Sequence, residues 1–511
     1  MTSLWLDGAA SIPTDRFLPE ARFDTVVIGA GLTGLATALM LARSGMRVGV
    51  LEARYVGAVT TGNTTGKVSL LQGTTLSQVH RNATDRVLSA YVDANAAGKG
   101  WLLDYADGRG IPYDVRDAFT YATTPEGLER LDAEFGAARL AGLAVTQEND
   151  TGLPFPVEGA LRLPDQAQLN PMDVLRALAA DLRTLGGAII EGQRVTGVSA
   201  SDPAVITCTS GRVLAESVVL ATGTPILDRG LYFAKTEAHR SYAAAFTVPG
   251  DVPHGMYLNA EASTRSLRTA TGPDGRELLL AGGNGHIAGR ATSPAAHLAE
   301  LTAWAEQAFP GAQRTHWWAA QDYRSANQIP FVGWLPRGRG RLYLATGYNK
   351  WGMTNAVAAA LSLTANISET EEPEWARVMH HRVTHPAAIA TGAAFNAGVG
   401  KAIATGWAAA EFEGPAIGED ASPPPEGTGI VGHGHDRAPV AVSTVDGTTC
   451  ALSAVCTHLG GVVRWNDAEL SWDCPLHGSR FAADGSVLEG PATKDLPRVP
   501  VTDHDGSPRG G

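Results

Sequence analysis

Cysteine is scarce. Four in 511 residues, Cys208, Cys450, Cys456 and Cys474, are too few for the disulfide framework of a secreted chain, so a reducing compartment is expected. The first residues, MTSLWLDGAASIPTDRF, show no basic stretch followed by an apolar run, and nowhere do 18 uncharged apolar residues follow one another. A cytoplasmic protein without a membrane span is therefore expected. Positive charge is also short: 40 Lys and Arg against 52 Asp and Glu leave a net charge of −12. No broad cationic field exists to gather nucleic acid or anionic lipid, so small molecules and proteins are the expected partners. Glycine, in contrast, is plentiful. The 59 glycines are about 11.5% of the chain against an average near 7%, as expected where backbone must approach a cofactor closely. The length predicts two to four domains.

Asp24 to Gly29 (DTVVIG) reads as a buried strand, Leu32 to Ser44 as a helix stopped by Gly45, and Arg47 to Glu52 as a second strand, a βαβ start that predicts an α/β domain. Helical stretches near 78–104 and 126–142 and strands near 117–123 and 242–248 predict an α+β insertion. A helix from Pro171 to Leu185 leads to strands at 188–191 and 195–198. Two later strands, SVVLATG (Ser217 to Gly223) and RLYLATG (Arg341 to Gly347), end in the same four residues. An Ala/Gly-rich helical stretch and then GEDASPPPEGTG mark a linker, and the turn signals at 446/447, 466/467 and 484/485 beyond it predict a small all-β module. The expected layout is a large α/β domain over 1–380, a linker over 381–427 and the β module over 428–511. Residues 1–420 are expected to keep their cofactor without the module.

Gly29-Ala-Gly31-Leu-Thr-Gly34 follows a strand and opens a helix, and Glu52 ends the next strand 18 residues past Gly34. This is the dinucleotide fingerprint: Gly29 permits the tight turn, Gly31 lets a pyrophosphate reach N–H groups at the helix start, Gly34 lets helix and strand pack closely, and Glu52 accepts from an adenosine ribose. The fingerprint alone does not separate FAD from NAD. A second glycine run, Gly283 to Gly289, has the wrong spacing.

Over roughly residues 20 to 370 the chain resembles the glycine oxidase or D-amino-acid oxidase-like group of FAD-dependent oxidoreductases. The resemblance is carried by the fingerprint, TTGNTTGKVS (Thr60 to Ser69), VVLATG, QIPFVG (Gln328 to Gly333) and ATGYNKWGMT (Ala345 to Thr354). It implies a Rossmann-like FAD-binding domain from segments near 22–70, 170–235 and 336–370, with an α+β substrate subdomain near 85–165 and 240–335. It also implies noncovalent FAD, contacted by Thr61, Asn63, Thr64, Lys67 and Gly223, by Val195 at the adenine, and by Gly347, Gly352, Met353 and Thr354, where a helix start faces the flavin ring. Substrate contacts are expected from Tyr257, Arg268, His286 and Arg324, with Lys350 near the flavin.

The β module carries Cys456-Thr-His458 and, after 15 intervening residues, Cys474-Pro-Leu-His477. Two thiolates and two imidazoles can hold a Rieske 2Fe-2S cluster, cysteines on one iron and histidines on the other; a structural Cys2His2 zinc site is the alternative. CTHLGG, SWDCPLHGSRF and LEGPA resemble Rieske domains. The cytochrome-type members' extra cysteine pair is replaced by Gly461 and Leu476, Ser479 matches the hydroxyl donor to a bridging sulfide, and Phe481 stands where a tyrosine would donate to a ligand sulfur. Fewer donors predict a potential toward the low end of the Rieske span of about −150 to +300 mV.

The resemblance of the flavin part implies an oxidoreductase acting on a C–N bond of an amine or amino acid by hydride transfer to FAD, and its joining to a Rieske cluster suggests that electrons leave FAD singly through the cluster to an external electron-transfer protein. A flavin monooxygenase or reductase fed through the Rieske module, and a non-catalytic redox carrier or sensor, are the alternatives.

Overall fold

A computed structural model describes residues 2–417 and 422–499. Met1, part of the expected linker (418–421) and the end of the expected β module (500–511) lie outside the described residues.

The strand Arg22–Ile28 runs parallel to Val48–Leu51 on one side and to Gly211–Leu220 on the other. A strand covered on both faces needs an apolar run rather than alternation, and Val26, Val27 and Ile28 supply it. Ala188–Ile190 and Leu342–Thr346 extend the parallel order outward, and Phe331–Trp334 closes one edge antiparallel. Helices Leu32–Arg43 and Gly352–Ile367 pack on this sheet through Leu35, Leu39, Val357 and Ala360. The two LATG strands are neighbours, so their ends open side by side at the carboxyl edge, where ligands bind in such sheets.

The second layer is a nine-stranded sheet, antiparallel except where Met256–Asn259 lies beside Tyr113–Ala122. Its longest pair, Thr236–Thr247 with Gln313–Ser325, forms the edge toward the β module. The predicted single helix over 78–104 is two, Thr75–Asn82 and Asp85–Arg109, because Ala83 and Thr84 are extended and Asp85 begins a new first turn. The buried Glu134 caps the shorter helix, accepting the Leu76 and Ser77 N–H groups at 3.0 and 2.7 Å.

The expected linker is mostly helix, Pro386–Ala408. Pro at the first turn and an Ala-rich run favour it, and it packs rather than swings. Phe395 lies 5.2 Å from the Arg324 guanidinium, Asn396 donates to the Ala234 carbonyl at 2.9 Å, and Trp407 donates to the Gly460 carbonyl at 3.0 Å.

The β module has two small antiparallel sheets. Asp446 and Gly447, both left-handed, make the tight turn between Pro439–Val445 and Thr448–Ser453. Its core gathers Trp472, Phe481, Cys456 and Cys474. No helix among the described residues is long and apolar enough to cross a membrane.

Candidate functional site

A long cavity runs along the carboxyl edge of the parallel sheet. At one end the fingerprint turn is as tight as its glycines allow. Gly29 has φ +107°, and a Cβ there would sit 2.5 Å from the Ala221 carbonyl; a Cβ on Gly34 would sit 1.9 Å from the Gly29 carbonyl. Gly31 caps the following helix without a side chain, leaving the helix start open to an anion. The Glu52 carboxylate accepts the Ala30 and Arg54 N–H groups at 2.9 and 2.8 Å. Burial pushes its pKa up, and those two donors pull it back. Thr61, Thr64, Val195 and Gly223 line the middle, with Thr61 Oγ1 accepting the Leu32 N–H at 3.1 Å.

At the other end stand Tyr348, Lys350, Gly352 and Met353. The helix Gly352–Ile367 starts here without a side-chain cap, so its N–H groups face the cavity. Asn349 and Lys350 are both left-handed, at φ 49° and 70°. This conformation is unfavourable for lysine, and it is held by the Lys350 N–H donating to the Asp322 carboxylate. Burial raises the Asp322 pKa to about 7 and lowers that of Lys350. These groups fit an elongated dinucleotide with its ring end at Gly352.

Leu488, Glu489, Gly490, Ala492 and Thr493 of the β module complete the cavity wall. Just behind them lies a cage of two thiols and two imidazoles. Cys456 and Cys474 are buried and unpaired, and the His458 and His477 rings are 5.1 Å apart. Two thiols and two imidazoles suit a cluster with two ligands per iron. His477 Nδ1 is buried without a partner. His458 Nε2 lies 3.0 Å from Asp228 Oδ1, leaving Nδ1 for the interior. A Cβ on Gly461 would meet Leu476 at 2.5 Å, so the two positions that could carry an extra cysteine pair do face each other. Ser479 Oγ accepts the Ala492 N–H at 3.0 Å. The cage thus fits a 2Fe-2S cluster.

Cage and cavity are joined by the strand Gln313–Ser325. Its alternation puts Gln321 and Tyr323 on one face: Gln321 donates to the Gly478 carbonyl at 2.8 Å, and Tyr323 to the Gly490 carbonyl at 3.3 Å. Arg194 and Arg290 donate to the Val487 and Pro475 carbonyls at 2.7 and 2.9 Å. A Cβ on Gly478 would lie 2.4 Å from that of Ala238, so backbone meets surface directly. Beneath the contact, Arg240 pairs with Glu469 and with Glu489 (3.2 Å), and Arg480 with Glu469, Asp473 and Glu489 (3.0, 3.0 and 2.8 Å), all buried. Burial alone would raise the Glu469 pKa, but Arg240 and Arg480 hold it at about 2.

The structure corrects several expected contacts. Lys67 is buried in the outer sheet, donating to the Tyr257 carbonyl and Ser266 Oγ at 2.6 and 2.7 Å; strand pairing with Gln168 carries it away from the cavity. Tyr257 stacks on Phe119 and donates to the Thr151 carbonyl at 2.8 Å, a core role. Arg268 is consumed by the carbonyls of Thr269 and Leu169 and by the Trp5 ring. His286 lies between Tyr242 and His297. Asn63 donates to the Ala58 and Val59 carbonyls at 3.3 and 2.5 Å. Gly347, at φ +84°, makes a turn against Ser325, and Thr354 donates to Asn95 Oδ1; none of these three lines the long cavity. Arg324 does reach a groove, which continues past Lys350 to His239, Asn349 and Trp351. Its Nη2 donates to Glu237 at 2.8 Å, while its buried Nε has no partner. Asp322, Tyr323, Gln321 and Asp228 were not expected from the sequence, since only the strand's facing and the docking give them roles.

Comparison with known proteins finds two families in the chain. Residues 24–366 match the family described as FAD dependent oxidoreductase, and residues 425–500 match the Rieske [2Fe-2S] domain. A Bacillus subtilis (strain 168) protein named as a Rieske 2Fe-2S iron-sulfur protein, YhfW, is 29% identical over 94% of both chains. The cytochrome b6-f complex iron-sulfur subunit of Synechococcus sp. (strain JA-3-3Ab) is 55% identical over 10% of this chain and 30% of its own. Among solved structures, glycine oxidase from Geobacillus kaustophilus superposes with TM-score 0.59 at 19% identity, covering 69% of this chain and 96% of that one. L-Proline dehydrogenase from P. horikoshii gives 0.55 at 17%, covering 70% and 96%. At these identities the two structures show a shared fold.

Proposed function

Since the chain belongs to the FAD dependent oxidoreductase family and carries a Rieske [2Fe-2S] domain behind that part, we propose that it oxidises a C–N bond of a small amine or amino acid and exchanges the electrons singly with an external protein. When bound, FAD supplies a hydride acceptor and the 2Fe-2S cluster a one-electron carrier. The observation that carries the reading is the shared wall: Leu488, Glu489, Gly490, Ala492 and Thr493 line the long cavity, and the same strand that contributes Asp322 and Tyr323 to it holds the Gly478 carbonyl of the second ligand loop and the Gly490 carbonyl of the wall.

In this reading the chain's own residues bind and position. Gly29, Gly31, Gly34 and Glu52 seat the dinucleotide's phosphate and ribose end, Thr61, Thr64, Val195 and Gly223 flank it, and the helix start at Gly352 and Met353 faces the ring with N–H donors. Cys456, His458, Cys474 and His477 hold the cluster. Arg324, its Nε free and its Nη2 fixed by Glu237, orients an anionic or carbonyl group of the substrate in the groove. Burial lowers the pKa of the nearby His239 against the pull of its Glu237 partner. The helix Pro386–Ala408 places the Phe395 ring against one face of the Arg324 guanidinium. Unpaired cysteines suit a reducing compartment.

Anaerobic mixing of the holoprotein with a panel of amines and amino acids is the test. Bleaching of flavin absorbance by one class of compound, followed by bleaching of the cluster, is expected. If no amine or amino acid bleaches the flavin while a reduced ferredoxin reduces the cluster and then the flavin, the reading is overturned in favour of electrons flowing inward.

A further inference from the structure

The histidine edge of the cage lies just beneath the surface, with His477 8% exposed and the His458 side chain 7%, at a place built by both modules. Phe233 lies edge-on to His458 and His477, 5.4 and 4.9 Å from their rings, and Asp228 on the same segment meets His458. Leu231 and Leu459 flank this point and are 54% and 46% exposed. They form a small apolar centre directly over the ligand loop.

The rim of that centre is basic. Arg229 donates to the Arg337 carbonyl at 2.9 Å, which brings the exposed turn carrying Arg337 and Arg339 beside Asp228. On the other side the Lys494 carbonyl accepts the hydroxyl of Thr457 at 2.6 Å, the residue between the first two ligands. Among the described residues none of these four cations forms an ion pair, although Arg341, close by in sequence, pairs with both Asp202 and Glu216. Two acids stand within reach against these four cations, Asp228 beside His458 and Asp495 accepting the Val487 N–H at 2.8 Å. A local surplus of unpaired positive charge on a chain of net charge −12 runs against the average field, and an apolar centre within a polar rim is the anatomy of a transient protein interface.

We propose that this face docks an acidic one-electron carrier protein, with Leu231 and Leu459 at the contact and Arg229, Arg337, Arg339 and Lys494 steering its approach. The inference rests on the reading that the cluster exchanges electrons with an external protein, and holds for either direction of flow. Opposite charges raise encounter rates by about 10- to 1,000-fold at low salt, and the gain fades as the screening length falls from about 10 Å at 0.1 M to about 3 Å at 1 M salt.

The test needs no substrate. Oxidised holoprotein is mixed with a reduced, acidic, low-potential [2Fe-2S] ferredoxin, and bleaching of the Rieske cluster is followed: one electron leaves the ferredoxin and enters the cluster. In the reverse mixing, a basic c-type cytochrome oxidises the reduced cluster. The ferredoxin reaction is expected to be fast and slowed by salt, the cytochrome reaction slow and quickened by it. The triple variant Arg337→Asn, Arg339→Asn, Lys494→Gln, with asparagine chosen because both arginines are left-handed, should slow the ferredoxin reaction about tenfold. Its cluster spectrum and its rate with a small uncharged reductant should not change, which separates lost steering from lost structure. A ferredoxin rate indifferent to both salt and variant, or a cytochrome reaction slowed by salt, overturns the docking surface while leaving the amine oxidation reading to its own test. Failure of every amine to reduce the flavin strikes that reading alone, because here the carrier supplies the electrons.

Discussion

Gly34 and Glu134 show how differently single residues disclose themselves. Gly34 was legible because its role is local: strand, glycines and acid lie within 30 residues, and the geometry agrees, with no room for a Cβ against the Gly29 carbonyl. Gly34→Ala should give a protein that loses most of its FAD while keeping the cluster, measured as the ratio of flavin to iron after purification. Glu134 carried no signal, since nothing in its helix announces that it caps another one. Burial raises its pKa to about 7 against the usual 4.5, with the two N–H donors opposing. The folded chain therefore retains a proton that the unfolded chain releases between about pH 4.5 and 7. Stability from this group falls as pH rises through that window, by up to about 3 kcal/mol. Urea unfolding at several pH values should show that slope, and Glu134→Gln should flatten it. The misplaced contacts depend on partners far away in sequence: Lys67 and Tyr257 lie on strands paired with Gln168 and Phe119, and Arg268 is taken up by the Leu169 carbonyl and the Trp5 ring.

Among elements, the parallel strands and their helices were readable from apolar runs and caps, but the connection between modules was not. Proline, glycine and alanine in one stretch fit a loose tether as well as a packed helix, and only contacts at both ends decide. Pro386–Ala408 touches Arg324 near its middle and the first ligand loop near its end. The expectation that residues 1–420 alone keep their flavin changes accordingly. Ending the chain there removes the cavity wall from Leu488 to Thr493 and both carboxylates that pair with Arg240. The truncated chain should bind FAD more weakly than the full chain and melt at a lower temperature. Equal FAD affinity of the two, measured by flavin fluorescence quenching, would mean that the wall does not hold the cofactor.

For the whole molecule, each module's identity lay in short patterns, whereas their docking depends on single residues more than 200 positions apart, such as Arg240 with Glu469. The docking makes a thermodynamic claim. Breaking a buried pair by removing one partner costs about 3–5 kcal/mol, mostly because the remaining charge is stranded. Here Arg240 faces Glu469 and Glu489, with Arg480 and Asp473 completing the network. The intact chain should therefore unfold as one unit, flavin release and cluster loss sharing a midpoint in a thermal scan. Arg240→Ala should part them, the β module undocking first while its cluster spectrum persists. Acid should act in the same direction. The Glu469 pKa is lowered in the folded chain to about 2 from 4.5, so its stabilisation is full above about pH 4.5 and fades as pH falls toward 2. Two midpoints already present in the unaltered chain near neutral pH would show that the buried charges do not couple the modules. The electrons would then have to cross a contact that opens and closes, and transfer between flavin and cluster should slow as solvent viscosity rises.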